Sequence, residues 1–213
     1  MEQPVLDQAT VKRNRMMALG IMLIPLLVMA TATGLWWAVE NGKLDLLGSL
    51  GTHNEGTLLN PVRPMAEIEV FTGGDEPFIY AEQPPKWSLL IPGAASCDQA
   101  CRDQLWLTRQ MHTALGRRAA YLRRYYLTDT WPLDPEFASY LAAEHPRMEV
   151  LHTLPASRAR LLGALPDGRE PLADGLYYLV DKQGFVMMVY GPEHSGKQVQ
   201  ADLKFLMKQT GDD

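Results

Sequence analysis

Trp87-Ser-Leu-Leu-Ile-Pro-Gly-Ala-Ala-Ser-Cys-Asp-Gln-Ala-Cys-Arg102 is the stretch that decides the fold of this chain. Its first five residues are nearly all apolar and too few for a helix, which predicts a short strand, Trp87–Ile91, buried on both faces. Pro92-Gly93 then breaks the strand into a loop. The loop runs to Cys97 and Cys101, the only two cysteines of the chain. Beyond them Leu105, Leu107, Met111, Ala114 and Leu115 fall on one broad face, so a helix is expected from Gln99 to Leu115, stopping at Gly116. This places Cys97 at the end of a loop and Cys101 in the first helical turn. There the positive end of the helix dipole lowers the pKa of a thiol.

Downstream, Tyr121–Leu127 is rich in aromatics and suits a strand. Asp134 and Pro135 read as the cap and first position of a second helix, which buries Phe137 and Leu141. Leu176–Asp181 and Phe185–Tyr190 flank Lys182-Gln183-Gly184, the pattern of a β-hairpin. A last helix is expected from about Ser195 to Gln209, burying Val199, Leu203 and Leu206. Upstream, Ala66–Phe71 alternates apolar and acidic residues, a half-exposed strand, and Gly73-Gly74-Asp75 turns the chain. Residues 40–65 show no sustained periodicity and many glycines and prolines, and so read as a linker. Residues 66–213 thus run strand, cysteine-bearing loop, helix, strand, helix, hairpin, helix. That order describes a mixed-sheet α/β sandwich and is that of a thioredoxin-like domain.

At the N-terminus, residues 16–39 carry no charge. As a helix they span about 36 Å, enough for a hydrocarbon core of about 30 Å. Lys12, Arg13 and Arg15 precede the span, whereas Glu40 and Asp45 follow it. The positive-inside rule therefore expects residues 1–15 in the cytoplasm and the long C-terminal part on the far side. Trp36 and Trp37 suit the outer interface. A cleaved signal peptide is the competing reading, because Ala30-Thr31-Ala32 has the spacing of a cleavage site. Seven more apolar or small residues before the first charge favour the uncleaved anchor.

The 213 residues leave room for the anchor and one domain that buries a real core. The net charge is −5, and beyond residue 15 there are 17 basic against 23 acidic side chains, or −6. Such a domain lacks the basic surface that nucleic-acid binding demands. Arg117, Arg118, Arg123 and Arg124 form the exception, read as a solvated face or as a docking patch for an acidic partner.

Three residues separate the cysteines, so their sulfurs can converge either to bond each other or to hold one soft metal ion such as Cu(I). A purely local staple is the bland alternative. Closing so short a loop removes little chain entropy, which favours a working pair.

With these elements in place the chain resembles the Sco/SenC family, and more closely the small anchored Sco-related proteins that accompany cytochrome c oxidase assembly genes in bacteria. The resemblance spans roughly residues 53–210. It rests on Trp87-Ser-Leu-Leu-Ile, on Cys97-Asp-Gln-Ala-Cys101 and on Tyr178-Leu-Val-Asp-Lys-Gln-Gly184. Asn54-Glu-Gly-Thr-Leu-Leu-Asn-Pro-Val-Arg-Pro64 and Leu107-Thr-Arg-Gln-Met-His-Thr-Ala-Leu-Gly116 match the smaller group. It implies a thioredoxin fold anchored in the bacterial inner membrane and facing the periplasm. Its partners would be cytochrome c oxidase subunits or other copper and assembly proteins. Cys97 and Cys101 match the family's two cysteines, which serve both as redox pair and as copper ligands. The family's histidine does not carry over, because the stretch before Tyr178 reads Leu172-Ala173-Asp174-Gly175, with neither His nor Pro. His53, His145, His194, Asp174, Met187 and Met188 are the candidates for a third ligand, whereas His112 lies too far along the helix. A general periplasmic thiol–disulfide oxidoreductase and a scaffold with a structural disulfide remain as competing functions.

Overall fold

A computed structural model of the protein describes residues 8–40, 54–163, 165 and 168–212. The chain divides into two units, Met1–His53 and Asn54–Asp213. In the first, helix α1 covers Gln8–Glu40. Its stretch Asn14–Ala38, 25 residues, is long and apolar enough to cross a membrane. Thr31 Oγ1 donates to the carbonyls of Leu27 and Val28, and Thr33 Oγ1 to that of Met29, so the hydroxyls are satisfied within the helix.

The second unit comprises β1 (Thr57–Pro64), β2 (Val70–Thr72), β3 (Trp87–Gly93), α2 (Gln99–Ala114), β4 (Leu122–Thr128), α3 (Pro135–Glu144), β5 (Met148–Thr153), α4 (Pro155–Leu162), β6 (Tyr177–Val180), β7 (Phe185–Tyr190) and α5 (Gly196–Gln209). The seven strands form one sheet in the order β1-β7-β6-β3-β4-β5-β2. Neighbours β3, β4 and β5 run parallel, joined by α2 and α3, and every other pair is antiparallel. This is the thioredoxin-like arrangement expected from the element order.

Strand β3 lies at the centre, and all seven of its residues are buried. Leu89 and Ile91 face one layer, which holds Leu105 and Met111 of α2, Phe137 and Leu141 of α3, and Val199, Leu203 and Met207 of α5. Leu90 faces the other, which holds Leu59, Met65, Phe78, Tyr80 and, from α4, Leu161 and Leu162. A strand covered on both faces needs apolar residues throughout, and for that reason Trp87–Ile91 shows no alternation.

The structure departs from the sequence reading in four places. The stretch 40–65 is not all linker: Thr57–Pro64 is the edge strand β1, paired with β7 from Thr57↔Val189 to Pro64↔Phe185. The pairing slips between Leu58 and Arg63, around Pro61, and this break hides the period of two in the sequence. Ala66–Phe71 is mostly not a strand. Met65–Glu67 form a 3₁₀ turn, anchored where buried Met65 N–H donates to Gly184 O at 2.9 Å, and pairing begins only at Val70↔Thr153. Strand β5 and helix α4 have no counterpart in the sequence reading. Half-buried residues at Met148, Val150 and His152 blur the alternation of β5. Finally, Arg124 does not belong to a solvated face, being 2 % exposed. It shares the inward side of β4 with Tyr126, beneath α2.

Candidate redox site at the end of the central strand

Strand β3 delivers the chain to the site at Gly93. A Cβ there would collide with the Tyr126 hydroxyl, so only glycine permits the close approach. Tyr126 Oη donates to Ala94 O at 2.7 Å, and Asp134 N–H, at the head of α3, donates to Ala95 O at 2.9 Å. These two bonds fix the loop. Asp98 then caps α2, its carboxylate accepting the Cys101 N–H at 2.9 Å. Cys97 precedes the cap and Cys101 lies in the first turn, as the spacing predicts.

The two sulfurs converge. Cys97 and Cys101 form a disulfide with their Cα atoms 5.3 Å apart, and both side chains are half-buried. Arg102 braces the loop from beside it. Its Nε donates to Cys97 O at 3.4 Å, a terminal nitrogen pairs with Glu136 at 2.9 Å, and the guanidinium lies 4.9 Å from the Tyr140 ring centre.

On the other side of Cys101 opens a cleft of about 990 Å³. Its far wall is the segment 169–175, which enters β6. Gln104 Nε2 donates to Gly175 O at 2.7 Å, Arg169 pairs with Glu193 at 2.7 Å, and Glu170 N–H donates to Asp174 Oδ2 at 2.6 Å. The residues before the hairpin are therefore brought face to face with the disulfide, and Asp174 shares the cleft with Cys101.

None of the described histidines lines this cleft. His112 Nε2 contacts Ala119 O at 2.9 Å on the buried side of α2, and burial lowers its pKa. His145 is buried at the C-cap of α3, between Arg124 and Tyr140. His194 contacts Glu55 O at 3.0 Å and receives the Gly191 N–H, also at 3.0 Å. Met188 is core and Met187 half-buried against it. His53 lies outside the described residues. The site's donor set is thus the two sulfurs, soft ligands once reduced, with the hard carboxylates of Asp98 and Asp174 lining the adjoining cleft. Among the described residues no group of three or more His, Cys, Asp or Glu is arranged to hold a metal ion. Two thiolates suit an ion held in passing, with further ligands supplied from outside.

Sequence reasoning missed what holds Asn54-Glu-Gly-Thr57 in place. Buried Asp202 of α5 accepts Glu55 N–H at 3.1 and 3.0 Å, Gly56 N–H at 3.0 Å and the Tyr190 hydroxyl at 3.0 Å. An aspartate on an otherwise apolar helix face, beside Leu203 and Val199, was the available signal.

A family model for the transmembrane-like, thioredoxin-like C-terminal domain matches residues 87–210. Among solved structures, Arabidopsis thaliana ScoI with copper bound aligns at TM-score 0.54 and 14 % identity, over 72 % of this chain and 98 % of that one. Apo Sco1 from Thermus thermophilus aligns at 0.53 and 21 %, over 73 % and 99 %. BsSco, a member of the Sco family of cytochrome c oxidase assembly proteins with a disulfide switch, aligns at 0.52 and 13 %, over 71 % and 95 %. At these identities the likeness is one of fold. A comparison with curated protein sequences finds no match.

Proposed function

We propose, from the premise that this chain belongs to the transmembrane-like, thioredoxin-like C-terminal domain family, that it is a membrane-anchored thiol–disulfide exchange protein serving the copper site of cytochrome c oxidase during assembly. One observation carries the reading: a half-buried Cys97–Cys101 disulfide at the mouth of an open cleft, where the central strand hands over to a helix. The oxidase assignment draws on the Sco fold and on the sequence resemblance.

In the reducing direction, the Cys97 thiolate attacks a partner disulfide. One partner sulfur leaves as a thiolate and takes a proton from water, while a Cys97–partner disulfide forms. Cys101 attacks that bond, the second partner thiolate leaves, and the Cys97–Cys101 disulfide closes. Two electrons pass to the partner, and the disulfide in this structure is the product state. The position of Cys101 in the first turn of α2 stabilises its thiolate for the second step.

Copper is the second cargo the same atoms can carry. ScoI of Arabidopsis thaliana is a copper-bound relative in fold, and Cys97 and Cys101 as thiolates offer two soft donors. The ion is then a substrate handed on. Lys12, Arg13 and Arg15 ahead of the apolar helix support, by the positive-inside rule, an N-terminus in the cytoplasm of a bacterial cell, a C-terminal domain in the periplasm and α1 as the anchor in the inner membrane.

Replacement of the chromosomal gene by Cys97→Ser, Cys101→Ala or both is expected to abolish copper loading of the oxidase. Normal loading in all three strains sinks the proposal. Rapid insulin reduction by the purified protein supports a general oxidoreductase instead. A disulfide that resists strong dithiol reductants supports the scaffold reading.

A further inference from the structure

We infer that the cleft beside Cys101 docks a basic, cysteine-bearing segment of the partner protein, an inference that rests on the thiol–disulfide exchange reading above. The cleft combines three features that do not occur together elsewhere among the described residues. Its near wall presents the disulfide. Its surface between the walls is largely apolar, with Leu107 from α2 and Leu172 opposite, the latter 41 % exposed. Its charged lining is Asp98, Asp103, Asp174 and Glu193 against the single cation Arg169.

The pairing of these groups leaves a net negative field. Arg169 is already matched by Glu193 at 2.7 Å. The hydrogen-bond donors to the other three are neutral: the Cys101 N–H to Asp98, the Gln99 side-chain amide to Asp103, and the Glu170 N–H to Asp174. Neutral donors fix the carboxylates without cancelling their charge. Asp98 and Asp103 lie on the disulfide's own helix and Asp174 on the facing wall, so an extended segment laid along the cleft passes between them.

The chemistry of exchange makes this charge selective. An acidic segment is repelled from the cleft. Lysine or arginine beside the reacting partner cysteine is attracted, and it also stabilises the partner thiolate that must leave when Cys97 attacks. Binding and reaction therefore favour the same sequence. Rim charges act modestly in water, so the three carboxylates together are expected to favour a basic over an acidic segment by roughly tenfold to a hundredfold in exchange rate at low salt.

The test uses the reduced full-length protein in detergent and three oxidants. Two are peptides with one internal disulfide, flanked either by lysines or by glutamates, and the third is uncharged hydroxyethyl disulfide. The basic peptide is expected to oxidise Cys97 and Cys101 fastest, with the advantage shrinking several-fold between 20 mM and 500 mM salt. In Asp103→Asn/Asp174→Asn most of the preference is expected to be lost, while exchange with hydroxyethyl disulfide stays within about twofold; Asp98 is kept because its carboxylate caps α2 at the Cys101 N–H. Equal rates for the two peptides, or a faster acidic peptide, overturn the inference and leave the redox reading standing. No exchange with any of the three oxidants overturns both. Because the salt series needs no variant, a misfolded double mutant leaves the outcome decided.

Discussion

Arg124 and His145 meet on the buried side of α2, where a charge finds little water. One Arg124 terminal nitrogen donates to Leu105 O at 3.0 Å and Thr108 Oγ1 at 3.2 Å, and lies 3.3 Å from His145 Nδ1. Burial, then repulsion from Arg109, lowers the Arg124 pKa to about 10, so it remains a cation. His145 Nδ1 must therefore accept, which puts the ring proton on Nε2, facing Tyr140 Oη at 3.2 Å. Burial first, then Arg124 and Arg109, push the His145 pKa down to about 4, against a weaker pull from Glu144. An unfolded histidine takes up its proton near pH 6.5, whereas the folded one waits until about pH 4. The stability His145 contributes is present above pH 6.5 and is lost as the pH falls toward 4. Between pH 7 and pH 5 the loss from this residue is about 2 kcal/mol. Denaturant midpoints at the two pH values are expected to differ accordingly. In His145→Gln the difference shrinks but does not vanish, because the pKa of His112 is lowered in the same sense. An unchanged pH dependence in that variant contradicts the assignment. In the sequence Arg124 looked like one of four surface arginines. Only the facing of β4 beneath α2 shows that it is not.

The β3–α2 junction governs the geometry of the sulfurs at the scale of elements. The strand ends at Gly93 because Tyr126 of β4 occupies the place of a side chain, and the same tyrosine ties down Ala94. Gly93→Ala forces that ring aside and loosens the loop before Cys97. It is expected to cost about 1–3 kcal/mol in unfolding free energy, the usual range for overpacking, and to change the reduction potential of the cysteine pair. Equilibration against glutathione reads the second effect. A variant destabilised with an unchanged potential shows that the loop is held independently of Tyr126. The junction itself was largely legible from sequence, since a nearly all-apolar run, a Pro-Gly break and the apolar face from Leu105 to Leu115 each have a local cause; the Asp98 cap came only with the structure. Helix α5 was legible for a similar reason, and the structure adds the reciprocal bonds between Ser195 and Gln198 that start it. Strands β1 and β2 were not, because they are edge strands whose pairing partners lie about 80 residues or more away in the chain.

For the whole molecule, the contacts divide the chain at His53 and Asn54. Among the described residues, those that line and hold the site belong to the second unit. The same unit holds the Asp202 bonds to Glu55 and Gly56 and the 2.6 Å Lys182–Asp212 pair close to the C-terminus. A protein starting at Asn54 is therefore expected to be soluble, to unfold in one cooperative transition and to keep the exchange rate of the full chain with hydroxyethyl disulfide. The full chain is expected to remain with the membrane pellet after alkaline extraction. Release of the full chain by that treatment argues against an anchor in α1.

The amino-acid sequence alone determined the features with local causes. These are one uncharged helix long enough for a bilayer, a buried central strand, a helix carrying Cys101 in its first turn, and two cysteines near enough to bond. Each depends on side chains within a few residues of one another, where periodicity and capping act. Tertiary structure alone decided that residues 57–64 close the sheet, that Arg124 and His145 are buried together, and that Asp174 faces the disulfide across a cleft. Those outcomes depend on which segments of a folded sheet and its helices become neighbours, and that is set by packing between residues 20 to 150 positions apart, beyond the reach of any local pattern.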